Sequence, residues 1–322
     1  MAKPRLVVSS GDPAGIGPEV TVMALAQPPV RGLAEVLVTG DPRHLRETAE
    51  RLRLPAPEQV VPAGDASEVE LGRVSAAAGR AAVEAVRAGI RLVQEGRAGA
   101  LVTAPISKEA MRAAGYGWPG HTELLADLTE TREVRMLLVS GQLRVVHVTT
   151  HRSLRSAIEA TTRGRVLKTI ELAEQAGRLL GFERPRIGVA GLNPHAGEGG
   201  LFGDEEQTEI GPAVLEASSG GIQVSGPHPA DTLFWRATRG EFDILVAMYH
   251  DQGHVPVKLS GFDEGVNLSL GLPFLRTSVD HGTAFDIAGR GVARWQSMAA
   301  AIRLAAQILS RHPGAAPAFP PP

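Results

Sequence analysis

Residues 76–108 read AAAGRAAVEAVRAGIRLVQEGRAGALVTAPISK, and this stretch decides the fold. Its first part, 76–94, is rich in Ala, Arg and Glu, which predicts a helix. Ala100-Leu101-Val102-Thr103 follows as a short apolar run without alternation, which is typical of a strand buried on both faces. A polar loop, 103–108, comes next. The order of helix, buried strand and polar loop predicts an α/β repeat.

The same pattern extends outward in both directions. Further strands are predicted at 6–9, 36–39, 145–148, 187–190 and 244–247, and further helices at 163–180 and 293–309. Buried strands separated by helices indicate a mainly parallel sheet covered on both faces. We therefore predict the α/β class. The tail 312–322 is almost all Pro and Ala and is predicted to be disordered.

Length and composition limit the classes of function. A chain of 322 residues fits two domains or one large α/β domain. The formal net charge is -2 and no basic stripe stands out, so we expect no nucleic-acid or membrane partner. There are no cysteines, which leaves His, Asp and Glu as metal ligands. No signal peptide or membrane-spanning run is visible, so we expect a cytoplasmic protein.

Two polar loops are candidates for ligand binding, because ligands of open α/β sheets bind beyond the carboxyl ends of the strands. Ser10-Gly11-Asp12-Pro13-Ala14-Gly15-Ile16-Gly17 lacks a Rossmann fingerprint, since Val20 stands where the third glycine would be, and an ordinary turn is the alternative. His121 and Thr122 stand at a predicted helix start, where free N–H groups suit a phosphate. Thr122 could equally be a plain N-cap.

Three predicted strand ends each deliver a histidine: His151, His195 and His250. Three imidazoles with open positions suit a divalent metal, although the spacing matches no local zinc signature. His147 lies within a strand and fits a core residue equally well. Further on, Lys258, Asn267 and Arg276 suit an anion that carries both carboxylate and phosphate, with surface charges as the alternative.

The chain resembles the 4-hydroxythreonine-4-phosphate dehydrogenase family of vitamin B6 biosynthesis. The resemblance runs from Gly11-Asp12-Pro13 to Asp280-His281-Gly282-Thr283. It includes Gly-His-Thr-Glu at 120–123, Gly-Leu-Asn-Pro-His-Ala-Gly-Glu at 191–198 and Tyr-His-Asp-Gln-Gly at 249–253. It implies a fold similar to isocitrate and isopropylmalate dehydrogenases: two α/β/α domains with a cleft between them. Analogy suggests 1–130 with 280–311 as the cofactor domain and 131–279 as the metal and dimer domain.

The resemblance also implies the roles of particular residues. His151, His195 and His250 would hold one divalent metal (Zn, Co, Ni or Mg), with the ligands drawn from two chains of a homodimer. The remaining implied residues bind small molecules: His121, Thr122, Lys258, Asn267 and Arg276 the substrate, and His281, Gly282, Thr283, Asp286 and Gly289 the cofactor, NAD or NADP.

The implied reaction is oxidation of the C3 hydroxyl of 4-phosphohydroxy-L-threonine. Decarboxylation of the β-keto acid then gives 3-amino-2-oxopropyl phosphate. The metal would lower the pKa of the hydroxyl and the nicotinamide would take the hydride. Lys258, Asp231 or Asp251 could relay the proton, and Asp231 could instead only orient a metal ligand.

Two positions depart from the B6-pathway pattern, because His228 and His254 stand where aliphatic residues are more usual. The change at 254 is more similar to a sister group that oxidises 4-phospho-D-threonate or 4-phospho-D-erythronate, so that substrate is the alternative. A metal-dependent hydrolase or lyase using the same histidines, and a non-catalytic sugar-phosphate sensor, are the rival hypotheses from other classes.

Overall fold

The computed structural model describes residues 3–261 and 264–312. The chain divides into two compact units, Met1–Val134 with Gly271–Pro322 as the first and Arg135–Leu270 as the second. The tail predicted to be disordered lies, from residue 313 onward, outside the described residues.

The described residues form eleven strands and eleven α-helices. The strands are β1 (Arg5–Ser9), β2 (Glu35–Gly40), β3 (Gln59–Pro62), β4 (Ala100–Thr103), β5 (Arg135–Ser140), β6 (Leu143–His147), β7 (Ile187–Ala190), β8 (Val224–His228), β9 (Ile244–Ala247), β10 (Val266–Leu270) and β11 (Leu275–Val279). The helices are α1 (Gly17–Ala26), α2 (Pro42–Leu52), α3 (Ala76–Gln94), α4 (Lys108–Ala113), α5 (His121–Leu128), α6 (Leu154–Glu159), α7 (Arg163–Leu179), α8 (Gly211–Ser219), α9 (Ala230–Thr238), α10 (His250–Ser260) and α11 (Gln296–Arg311).

The first unit has a parallel sheet in the order β3-β2-β1-β4-β11. α3 packs closely on one face, because a Cβ on its Gly89 would lie 2.7 Å from Cδ1 of Leu101. On the other face, Oγ1 of Thr277 donates to the carbonyl of Ala301 in α11. Thr277 is paired in register with Val102, whose side chain points away from that of Leu101. Both faces are therefore covered.

The second unit has the strand order β10-β5-β6-β9-β7-β8. β6, β9, β7 and β8 pair in parallel, whereas β10 with β5 and β5 with β6 pair antiparallel. Leu245 belongs to a core cluster that includes Leu233 of α9, and Ile244, its neighbour in β9, faces Gly177 of α7. Successive residues of a strand point to opposite faces, so helices cover this sheet on both sides as well.

The α/β class is confirmed, and all six predicted strands are present. The helices predicted at 76–94 and 163–180 agree with α3 and α7, while α11 begins at Gln296, three residues after the predicted start. Among the described residues, no helix is long and apolar enough to cross a membrane.

Candidate functional site

The second unit carries the three histidines predicted as metal ligands, each after one of three parallel strands. His151 follows β6, His195 lies in the turn Pro194–Gly200 after β7, and His250 begins α10 just after β9. The carboxyl ends of parallel strands meet at one edge of a sheet, which brings these loops to the same edge. The sheet topology therefore supplies the arrangement on which the prediction depends.

His151 and His250 lie close together. Their ring centroids are 6.0 Å apart, and both line a cavity of about 470 Å³ with Tyr249 and Ser153. His195 does not line this cavity. Within the part of the chain that the structure describes, no three His, Cys, Asp or Glu side chains are grouped closely enough to hold a metal. One chain therefore brings together two of the three predicted ligands.

The neighbouring carboxylate of Asp251 contacts the imidazole of His250. Nδ1 of His250 lies 2.6 Å from Oδ1 of Asp251. A carboxylate oxygen accepts, so Nδ1 carries the hydrogen and Nε2 keeps its lone pair. This is the form in which histidine binds metals, and a carboxylate on the other ring nitrogen is its usual companion. The donor set thus fits a divalent transition metal.

Two further histidines, His147 and His254, join this group, and the sequence predicts a role in the site for neither of them. The ring of His254 stacks on that of His250, with centroids 3.6 Å apart and an angle of 11° between the planes. Nδ1 of His254 lies 3.1 Å from Nε2 of His147. The signal was present in the sequence, because His250, His254 and Lys258 are four residues apart and share one face of α10.

Burial keeps His147 and His254 neutral. It lowers the pKa of His147 to about 3, with His254 as the next cause. It lowers the pKa of His254 to about 4, with His250 as the next cause. The suggestion that His147 is a core residue fits its position in β6, where its side chain is buried.

The other residues predicted in this unit are more exposed. Asp231 stands in the first turn of α9 and is exposed, and the Asp251 side chain is 79% exposed. Lys258 is half-buried on α10. Asn267 lies on β10, and its buried Oδ1 receives no hydrogen bond from the described residues. An unsatisfied buried acceptor of this kind suits a ligand that donates a hydrogen.

The first unit carries a candidate anion site. Arg276 on β11 is buried, and its Nη2 donates to Oγ1 of Thr103 at 2.6 Å. Burial lowers the pKa of Arg276 to about 9, so the group remains a cation at neutral pH. The pKa of His121 is well below its ordinary value because of burial first and Arg276 second. A neutral imidazole beside a buried guanidinium suits an anion such as phosphate.

His121 and Thr122 begin α5, as predicted. The N-cap of this helix is Gly120, which provides no side-chain cap, so the alternative role of Thr122 as a plain N-cap is wrong. Nε2 of His121 is buried and receives no hydrogen bond from the described residues. The open N–H groups of the first turn therefore stand beside an imidazole nitrogen that is also unsatisfied.

The predicted cofactor loop, His281 to Gly289, follows β11 in the first unit and packs on the loop after β1. The amide of Ile16 donates to the carbonyl of Thr283 at 2.9 Å. A Cβ on Gly15 would lie 2.7 Å from that same oxygen, so Gly15 permits close backbone packing. The loop after β1 therefore supports the predicted cofactor loop. Of that loop, Gly282 and Asp286 are exposed and Gly289 has a φ of 81°.

Comparison with known proteins shows extensive similarity. The family model described as pyridoxal phosphate biosynthetic protein PdxA matches residues 32–305. A D-threonate 4-phosphate dehydrogenase of Cupriavidus necator is 48% identical, over 96% of this chain and 98% of its own. A 4-hydroxythreonine-4-phosphate dehydrogenase of Geobacter metallireducens is 45% identical, over 95% of this chain and 96% of its own.

Solved structures show the same similarity. A 4-hydroxythreonine-4-phosphate dehydrogenase from Klebsiella pneumoniae has a TM-score of 0.87 and 45% identity, covering 96% of this chain and 98% of its own. A beta-decarboxylating dehydrogenase from Thermococcus kodakarensis, at 14% identity and a TM-score of 0.52 over 97% of this chain and 84% of its own, shares the fold alone. The predicted resemblance is confirmed, and so, at the level of the family, is the prediction of an oxidoreductase.

Proposed function

Because the chain belongs to the PdxA family, we propose that it is an NAD-dependent, divalent-metal-dependent dehydrogenase of a four-carbon hydroxy acid phosphorylated at C4. The C3 hydroxyl would be oxidised to a ketone, with NAD⁺ supplying the hydride acceptor when bound, and the β-keto acid would then lose carbon dioxide. The observation that carries the proposal is that the rings of His151 and His250 lie close together. Nδ1 of His250 donates to Asp251, which leaves the lone pair of Nε2 available for a metal.

The side chains of this chain have distinct tasks in that reaction. His151, His195 and His250 would hold the metal, which when bound would act as a Lewis acid and stabilise charge on the reacting oxygen. Arg276 and His121 bind the phosphate, and the N–H groups at the start of α5 add to that site. Lys258 and Asn267 bind the polar groups of the carbon chain, and the loop from His281 to Gly289 holds the cofactor.

Among substrates of this class, 4-phospho-D-threonate is favoured over 4-phosphohydroxy-L-threonine. Position 254 departs from the B6-pathway pattern, and the structure has the departing residue, His254, stacked on a proposed metal ligand. The relative of this chain from Cupriavidus necator bears the threonate name. The second candidate remains 4-phosphohydroxy-L-threonine, whose dehydrogenases are about equally similar to the chain.

An NAD reduction assay tests the activity and the substrate together. Purified protein with Zn²⁺, Co²⁺, Ni²⁺ or Mg²⁺ is given each of the two substrates, and kcat/KM is compared. We expect NADH and carbon dioxide in equal amounts, with dihydroxyacetone phosphate as the other product of 4-phospho-D-threonate. Conversion of either substrate without NADH would instead support a hydrolase or lyase. Binding without turnover would support a sensor.

We further propose a homodimer in which His195 of the partner subunit completes the metal site. Among the described residues, one chain brings His151 and His250 together without His195, and Leu201 and Phe202, directly after the His195 turn, are exposed. α6, which follows His151, exposes Leu154. Apolar side chains beside an incomplete site suit an interface between two copies.

Mixed dimers test this sharing. His151→Ala and His195→Ala are each expected to be inactive. In a hybrid dimer of the two variants, one site has both substitutions and the other has neither. Random exchange between two variants in a twofold dimer therefore restores about a quarter of the wild-type activity. No restoration, despite hybrid dimers detected by mass spectrometry of differently tagged chains, would overturn the sharing.

A further inference from the structure

The turn that carries His195 has an unusual backbone. Six successive residues have positive φ values: His195 (55°), Ala196 (53°), Gly197 (79°), Glu198 (44°), Gly199 (68°) and Gly200 (100°). Three of the six are not glycine, and L-residues avoid this left-handed region because Cβ approaches the following carbonyl oxygen. Such a turn persists only where its surroundings hold it, and strain of this kind is typical of functional sites.

The carboxylate of Glu206 lies at the centre of this turn. Its side chain is buried, and Oε1 accepts hydrogen bonds from the amides of Leu192 and Asn193, each at 2.7 Å. Oε2 accepts from Nδ2 of Asn193 at 3.0 Å. A Cβ on Gly197 would lie 2.7 Å from the same Oε2. The backbone therefore wraps around a carboxylate whose two oxygens are both engaged by N–H groups.

A second link joins this loop to the histidine that begins α10. Nε2 of Gln252 donates to the carbonyl of Gly191 at 2.7 Å, and Oε1 of Gln252 accepts from the amide of Met248 at 2.7 Å. The base of the His195 turn is thus connected to the strand end that precedes His250. With Glu206 inside the turn and Gln252 at its base, the backbone around His195 is held from two sides.

We propose that Glu206 is a positioning residue for metal binding: it holds the turn Pro194–Gly200 so that the His195 imidazole is presented as a ligand. Three N–H donors already engage the Glu206 carboxylate, so its proposed role is to orient the turn and not to bind the metal. This inference rests on the proposed function, in which His195 is a metal ligand. It adds a residue that lies outside the three-histidine set and is buried against the loop that carries His195.

The first test is Glu206→Gln, which keeps the size of the side chain but places an N–H donor where an oxygen accepts. Affinity for Co²⁺, measured by competition with a chromophoric chelator, is expected to fall about tenfold or more, the usual range for residues that orient metal ligands. The d–d absorption of bound Co²⁺ is expected to change, since one ligand moves. Glu209→Gln, on the same helical segment but bonded to the amide of Arg163, is the matched control.

A double-variant cycle separates positioning from a general loss of structure. Once His195→Ala has removed the ligand, Glu206→Gln is expected to lower Co²⁺ affinity no further. Equal losses from Glu206→Gln in both backgrounds would overturn the proposal, as would unchanged Co²⁺ affinity in the single variant. If His195→Ala itself leaves Co²⁺ affinity unchanged, the proposed metal site fails. That result is distinguishable from a failure of the role of Glu206.

A glycine pair keeps the test decisive if Glu206→Gln fails to fold. Gly197 and Gly199 both have positive φ, but an alanine Cβ at 197 meets Oε2 of Glu206, whereas at 199 nothing lies within 4 Å. Gly197→Ala is therefore expected to lower Co²⁺ affinity more than Gly199→Ala. Equal effects of the two substitutions would show that backbone strain alone, and not the Glu206 carboxylate, governs the presentation of His195.

Discussion

Nδ1 of His254 lies 3.1 Å from Nε2 of His147, and the other contacts of the two rings fix where their hydrogens are. Nδ1 of His147 faces the carbonyl of Met136 at 3.4 Å, and Nδ1 of His254 also faces the carbonyl of His250 at 3.2 Å. A carbonyl oxygen only accepts, so both rings carry hydrogen on Nδ1. His254 therefore donates to His147, and Nε2 of His254 keeps its lone pair beside the His250 ring.

The first prediction follows from this pair. His254→Leu leaves Nε2 of His147 buried without its donor, which is expected to lower the free energy of unfolding by about 1–3 kcal/mol. Replacing both partners, in His147→Leu with His254→Leu, removes the unsatisfied nitrogen and is expected to recover part of that loss. Urea denaturation of the wild type, the two single variants His254→Leu and His147→Leu, and the double variant measures the coupling. A double variant less stable than the sum of the two single losses would contradict the assigned hydrogen bond.

The second prediction concerns the buried cation of the first unit. Lysine cannot reproduce the planar fork of Arg276, so Arg276→Lys is expected to raise KM for the phosphorylated substrate about tenfold, with a smaller effect on kcat. Steady-state kinetics measures both constants, and Arg290→Lys, at an exposed position, is the control. An unchanged KM would mean that Arg276 serves only the packing of β11 against Thr103.

The third prediction tests the support of the proposed cofactor loop. Gly15→Ala places a Cβ 2.7 Å from the carbonyl oxygen of Thr283, so the backbone must shift. We expect a higher KM for NAD and little change in KM for the substrate, because the loop from His281 to Gly289 moves. Gly117→Ala is the matched control, since nothing lies within 4 Å of its added Cβ. Equal KM values for NAD in Gly15→Ala and Gly117→Ala would contradict a cofactor role for this loop.

The strands and helices that the sequence predicts are those with a strong local pattern. β4 and α3 were predicted because an apolar run and a long helix are each readable within a few residues. β10 was missed because Asn267 and Ser269 interrupt its apolar residues, and β5 because it opens on a buried arginine, Arg135. The antiparallel pairing of these strands depends on contacts distant in sequence, which local periodicity does not encode.

The residues of the candidate site also differ in how clearly the sequence indicates them. His151, His195 and His250 could be proposed as metal ligands from the sequence because each stands after a recognisable strand. Glu206 was missed because it lies 11 residues beyond His195 in a segment without a motif, and its importance appears only when its carboxylate is found inside the turn. His254 departs from the B6-pathway pattern in the sequence, but only the structure shows that its ring stacks on His250.

The last prediction concerns pH and Asp12, a fully buried residue of the loop after β1. Burial raises the pKa of Asp12 from 3.8 to about 6, although its Oδ1 accepts from the amide of Ala14 at 2.9 Å. The folded state therefore holds this proton more tightly than the unfolded chain does. The stability from the protonated form is fully present below pH 3.8 and is lost as the pH rises through about 6.

Asp12→Asn removes this dependence and keeps an oxygen for the Ala14 amide. The variant should therefore gain about 1–2 kcal/mol relative to the wild type between about pH 5 and pH 8. Urea denaturation of both proteins at each pH measures the difference, in which other titrating groups such as His147 cancel. A difference that stays constant, or one that shifts in favour of the wild type as the pH rises, would show that the carboxyl of Asp12 is ionised in the folded protein throughout this range.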